Sequence, residues 1–168
     1  MGPAIEDFRD GIIALLPRLR RFARSLARDP HDADDLVQIA IERALGRADQ
    51  FRMDSPLAGW LFGILRNAWI DECRNRKRRE PWHAPQELAE SVGDPVAASQ
   101  AERLCVEEAL SRLPDEQRLA VSLVLVEGFS YKEAAEIMSV PIGTLTSRLS
   151  RGREALQQML SGFPEAQP

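Results

Sequence analysis

Residues 129–153, FSYKEAAEIMSVPIGTLTSRLSRGR, constrain this chain more than any other stretch. They read as a short helix, a tight turn and a second helix carrying arginines, the layout of a helix-turn-helix. Ala134, Ile137, Met138 and Val140 supply the inner side of the first helix and the turn. Leu145 and Leu149 stand four apart and pack back on it. Pro141 suits the first turn of a helix, where its missing N–H costs nothing. Thr144, Ser147, Arg148 and Arg151 are left on the outer side. Their hydroxyl and guanidinium groups match phosphates and the edges of bases. The same pattern also fits a plain αα-corner with its arginines in water, so the rest of the chain must decide.

The rest is helical in character. Aromatic residues make up only 6% of the 168 and charged residues 29%, a mix that favours helices over sheets. No Val/Ile/Thr-rich alternation indicates a strand, and no internal repeat is present. The stretch 81–100, PWHAPQELAESVGDPVAASQ, holds three prolines and a glycine without sustained periodicity. It reads as a flexible linker. The expected fold is therefore all-α: two small helical domains, 1–80 and 101–168, joined by a linker over 81–100.

Within the first domain, Phe8, Ile12, Leu15, Leu16, Leu19, Phe22 and Leu26 form one apolar stripe on a helix over about 5–28. Pro17 is expected to kink or divide it. A second helix is expected over His31–Ala48, capped by Asp32, with Asp34 and Asp35 near its positive end. A third runs from Leu57 to about Arg78. Trp60 and Trp69 lie on its apolar face, and Arg66, Asn67, Asp71, Arg74 and Arg78 on its outer face. After the linker, a helix is expected over Ala101–Leu113. Another starts at Pro114-Asp115 and stops near Gly128, where the helix-turn-helix follows.

Charge is unevenly distributed. Residues 1–80 carry 15 basic and 13 acidic side chains, the linker three acids and no base, and residues 101–168 seven basic and ten acidic. Arginine clusters stand at Arg18–Arg28, at Arg74–Arg79 with Lys77 among them, and at Arg148–Arg153. Local basic patches decide nucleic-acid binding more than the net charge of −4. The two cysteines, Cys73 and Cys105, are far apart, and only His31 and His83 accompany them. No zinc spacing results, and both thiols are expected to be reduced. No nucleophile, phosphate loop or metal motif points to an enzyme, and no cofactor is expected. No apolar run reaches membrane-spanning length and no signal segment opens the chain, so a cytoplasmic protein without membrane insertion is expected.

Two further segments carry a resemblance. DADDLVQIAIERAL, residues 32–45, is followed by PLAGWLFGILRNAWIDECRNRKRR, residues 56–79. Together they resemble the promoter-melting domain of the extracytoplasmic-function (ECF) sigma factors of bacterial RNA polymerase. Residues 110–156, which include the helix-turn-helix, are similar to the domain of that family that reads the −35 element. The two matches stand in the family's order and span nearly the whole chain.

The resemblance implies roles for individual residues. Asp32, Asp34, Asp35, Leu36 and Gln38 match the helix that docks on the clamp helices of the largest polymerase subunit, and the second domain is implied to meet the polymerase flap. An acidic, partly apolar face suits a basic coiled coil, although the same acids also stabilise a helix start. Asn67, Asp71, Arg74, Asn75, Arg76 and Arg78 match the part that engages the −10 element, and Phe51–Pro56 the loop that captures an extruded base. Thr144, Thr146, Ser147, Arg148 and Arg151 match the −35 contacts. Promoter DNA, core polymerase and an anti-sigma factor are the implied partners. Three positions depart from the family pattern: Ile39 replaces an acid, Ser139 a turn glycine and Thr146 a lysine. The rival readings are a sigma mimic that titrates an anti-sigma factor and a simple helix-turn-helix regulator.

Overall fold

The computed structural model describes residues 3–52, 54–79 and 97–161, and every regular element in them is helical. Most of the expected linker lies outside the described residues.

Helix α1 spans Pro3–Leu26. It runs through Pro17 without a break, because Ile12 on one side and Leu19 and Phe22 on the other are all buried against neighbours. Packing on both flanks offsets the roughly 3 kcal/mol that an interior proline costs. Helix α2 spans Pro30–Gly46. Its cap is Asp29 and not Asp32: the Asp29 carboxylate accepts the backbone N–H of His31 at 2.7 Å. Pro30 takes the first helical position, which shifts the start by one residue. A short 3-10 turn, Ala48–Gln50, leads towards α3, Leu57–Arg79. Four basic residues fill the last turn of α3, where the helix dipole is negative.

Helix α4 spans Ala97–Arg112, so it starts inside the stretch read as linker. Helix α5, Asp115–Val121, passes into one π-helical turn at Ser122–Val126. Gly128, at φ 74°, ends that run. Helix α6, Tyr131–Met138, opens with a reciprocal capping box between Ser130 and Glu133. Helix α7 spans Ile142–Leu160.

Helices α1–α3 enclose one apolar centre and α4–α7 another, and the two merge. Phe22 stacks on Phe62 with ring centroids 4.9 Å apart, and Phe62 meets Phe129 edge-on at 4.9 Å. Trp69 is buried, as its place on the apolar stripe implies. Trp60 is half-buried and clusters with Phe8 and Phe51. The sequence left the arrangement of the two halves open. In the structure they pack directly, α1 against α4 and α5, and α3 against α6.

Candidate nucleic-acid interface

The turn between α6 and α7 is set by Ser139, at φ 54° and ψ 45°. A left-handed backbone at a residue with a Cβ is strained, which realises the cost expected where a glycine is usual. Leu145 and Leu149 anchor the inner side of α7 and are fully buried. Gly152 lets the helix press on α5: a Cβ there meets Val121 Cγ2 at 2.7 Å. With these three positions inward, the opposite side of α7 faces out.

Thr144, Ser147, Arg148 and Arg151 share one open cleft of about 770 Å³ with Lys77 of α3 and with Asp115, Glu116 and Gln117 of α5. The i, i+3, i+4, i+7 spacing of the four places them on one side of the helix. Thr146 points elsewhere, and its hydroxyl donates to the carbonyl of Ile142 at 2.9 Å. Arg148 is held by Glu116 at 2.7 Å. Among the described residues, Arg151 has no carboxylate partner.

On α3, Asn67, Asp71, Arg74, Asn75 and Arg78 are exposed and recur at helical spacing as one stripe. Asp71 is engaged by Arg43 of α2 at 2.9 Å, and Asn67 accepts a bond from Arg66 at 3.1 Å. Arg76 leaves the stripe and forms ion pairs with Asp32 and with Glu72. Two residues expected to serve different partners, Asp32 and Arg76, are thus joined to one another.

Asp34, Asp35 and Gln38 are exposed on α2. Asp34 and Gln38 border a shallow groove between α1 and α2 that also holds Arg20 and Arg24. Leu36 is enclosed in the core at 3% exposure, so it packs α2 against its neighbours and has little surface to offer a partner. Phe51, in the loop towards α3, stacks with Phe8 and Trp60.

Sequence reasoning placed Arg66 on the outer face of α3 and passed over Arg118 and Glu127; Arg66 is half-buried. Arg66 has a buried Nε without a hydrogen-bond partner. Burial lowers its pKa, and repulsion from Arg148 and Arg74 adds to the effect. Guanidinium groups from both halves therefore add to one positive field in this region. Glu127 and Arg118 are buried where the halves meet. No sequence signal marked them, since the partners that join them to the first half lie 92–109 positions away. The Ser130–Glu133 box, by contrast, was visible as an S-x-x-E spacing.

Among the described residues, no three His, Cys, Asp or Glu side chains are grouped to hold a metal ion, and no helix is long and apolar enough to cross a membrane.

Against known proteins, residues 12–79 match the model of Sigma-70 region 2, and residues 103–156 that of Sigma-70 region 4. The ECF RNA polymerase sigma factor EcfG of Rhodopseudomonas palustris is 41% identical over 94% of this chain and 87% of its own length. SigM of Mycobacterium tuberculosis, also an ECF RNA polymerase sigma factor, is 38% identical over 85% of this chain and 71% of its own. Among solved structures, the sigma factor RpoE of Bartonella quintana, in complex with the anti-sigma factor NepR, aligns at a TM-score of 0.80 and 36% identity. That alignment covers 93% of this chain and 98% of RpoE.

Proposed function

Because the chain belongs to the ECF sigma factors of the sigma-70 family, we propose that it works in the cytoplasm as a promoter-specificity subunit of RNA polymerase. It binds core polymerase, directs initiation at chosen promoters and is controlled by an anti-sigma factor. It acts by binding and positioning, without catalysis of its own.

The observation that carries this reading is the pair of outward basic faces, one in each matched region. On α7, Thr144, Ser147, Arg148 and Arg151 enter the major groove of the −35 element. An arginine there forms a bidentate pair with guanine, worth about 1–3 kcal/mol of discrimination. On α3, Arg74 and Arg78 hold the backbone of the opened −10 strand, while Asn67 and Asn75 offer hydrogen bonds to unpaired bases. Asp34, Asp35 and Gln38 supply an acidic surface for the polymerase clamp, and Asp32 joins them once Arg76 lets go. Each half binds weakly alone, and tethering through the chain and polymerase raises the effective concentration.

Run-off transcription tests this. Core polymerase on a pool of genomic promoter fragments should give new transcripts only when the protein is added, with start sites that align on two shared elements. Absence of both core binding and transcripts, with capture by an anti-sigma factor retained, would establish a mimic instead.

A further inference from the structure

A face that only reads duplex DNA needs cations and hydroxyls, whereas carboxylates on it repel the phosphates. The cleft beside α7 holds both signs. Lys77 of α3 and Arg148 and Arg151 of α7 line it together with Asp115 and Glu116 of α5. The two carboxylates do not use up the cations. Glu116 pairs with Arg148 at 2.7 Å, but Lys77 Nζ stands 3.9 Å from Asp115 Oδ2, beyond hydrogen-bond distance. Among the described residues, Arg151 has no carboxylate partner. Arg66 and Arg74 of α3 act on Arg148 through the same positive field, and the Nε of Arg66 is buried without a partner.

The backbone adds to the cationic side. Pro141 precedes α7 and brings no side-chain acceptor, so no cap bond closes the start of this 19-residue helix. Gly143, at the second helical position, lines the cleft and leaves its N–H to an outside acceptor. The volume of about 770 Å³ lies within the range of roughly 300–1,000 Å³ that small-molecule sites occupy.

A bare anion suits the cations here and is repelled by both carboxylates. A ligand with phosphates at one end and hydrogen-bond donors at the other satisfies all five charges. We propose that this cleft binds a nucleoside diphosphate. Its phosphates lie among Lys77, Arg148, Arg151 and the N–H of Gly143. Its ribose hydroxyls or base amino groups donate to Asp115 and Glu116. Arg148 exchanges Glu116 for phosphate, with which it forms a bidentate pair, and so frees that carboxylate for the ligand. Arg148 and Arg151 also belong to the set assigned to the −35 element, so the bound nucleotide excludes the duplex. The site stands apart from the sigma-factor reading, and only this competition rests on it.

Isothermal titration calorimetry on the full chain, in magnesium-free buffer, tests the site with ADP, GDP, CDP, UDP and inorganic pyrophosphate. At least one nucleoside diphosphate should bind at a single site and more tightly than pyrophosphate. Lys77→Gln should weaken that binding roughly tenfold, and Lys77→Arg should restore it. Binding of Lys77→Gln to a −35 duplex should stay within about twofold, since this lysine lies on α3. Asp115→Asn should weaken the nucleoside diphosphate without weakening pyrophosphate. Lys77 is 79% exposed and Asp115 41%, so neither change opens the core. No saturable heat with any nucleotide overturns the site, and so does binding that survives Lys77→Gln. Pyrophosphate that binds as tightly as every nucleotide, indifferent to Asp115→Asn, overturns the nucleotide in favour of a phosphate-only patch. Run-off transcription in parallel separates the two ideas. Nucleotide binding without transcripts keeps the site and removes the sigma reading; transcripts without nucleotide binding do the reverse.

Discussion

Arg118 donates from Nη1 to the carbonyl oxygen of Leu26 at 2.7 Å, across 92 positions of sequence. Leu26 is the last residue of α1, where helix carbonyls lack an intrahelical donor. The same guanidinium serves the end of α4, with bonds to the carbonyls of Leu110 at 2.9 Å, Ser111 at 2.8 Å and Leu113 at 2.9 Å. Burial lowers the pKa of Arg118 while Asp115 raises it, and a guanidinium stays charged throughout. One side chain thereby finishes two helices and joins the halves.

Arg118→Met should remove about 3 kcal/mol of stability, because it strands several buried carbonyls and not one. Arg118→Lys should recover only part, since an ammonium lacks the planar fork. Urea unfolding followed by circular dichroism measures both. A midpoint unchanged in Arg118→Met rules the role out.

Gly152→Ala should push α7 off α5. The new Cβ stands 2.7 Å from Val121 Cγ2 and 3.4 Å from the carbonyl of Gln117. Overpacking of this kind costs about 1–3 kcal/mol. Adding Val121→Ala should restore part of the loss, and the resulting double-mutant cycle would show a coupling above about 0.5 kcal/mol. Strict additivity of the two changes would contradict the contact.

Ser139→Gly should stabilise the protein by about 1 kcal/mol, since it relieves the left-handed backbone at φ 54°. The melting temperature should rise by a few degrees. A fall would mean that the Ser139 side chain contributes a contact larger than the strain.

Arg148 must leave Glu116 to reach a base. The pair is exposed on the acidic side, with Glu116 68% accessible, so it holds the arginine only weakly. Glu116→Gln should strengthen binding to a −35 duplex by up to roughly fivefold at low salt. Arg148→Ala should weaken it by about 1–3 kcal/mol and relax preference at one base pair. Fluorescence anisotropy on matched and mutated duplexes reads both effects. Equal losses on every duplex from Arg148→Ala would assign the residue to phosphate contact instead.

Cys73 is half-buried on α3, and burial raises its thiol pKa, with Asp115 adding to the rise. Its alkylation in a Cys105→Ser background should climb with pH later than that of the unfolded chain. The sign follows from proton binding. Between the unfolded and the raised folded pKa the native state holds more protons, so this group's contribution to stability falls as pH rises. Coincident alkylation profiles for native and urea-unfolded protein would show that the fold does not shield Cys73.

The periodicity of single helices was legible in the chain. Leu57, Leu61, Ile64, Leu65, Ala68 and Trp69 recur at helical spacing, and the structure turns most of that stripe inward. Leu145 and Leu149 marked the inner side of α7 in the same way. Helix boundaries were less legible. Asp29 caps α2 ahead of Asp32 because a cap hydrogen bond worth about 1 kcal/mol decides the start, and Pro17 stays within α1 because burial on both its flanks offsets its cost.

The sequence by itself determined the all-α class, the helix-turn-helix and most of the residues of α3 and α7 that face water. These depend on neighbours within four positions along one helix, so period and residue type carry them. Tertiary structure alone decided that Glu127 lies between Arg18 and Arg21, that Arg118 ends α1 and that Lys77 lines one cleft with Arg148. A charged residue reads as surface in any local pattern. It is buried only when a partner from a distant segment compensates its lost hydration, and that partner is chosen by the docking of whole helices.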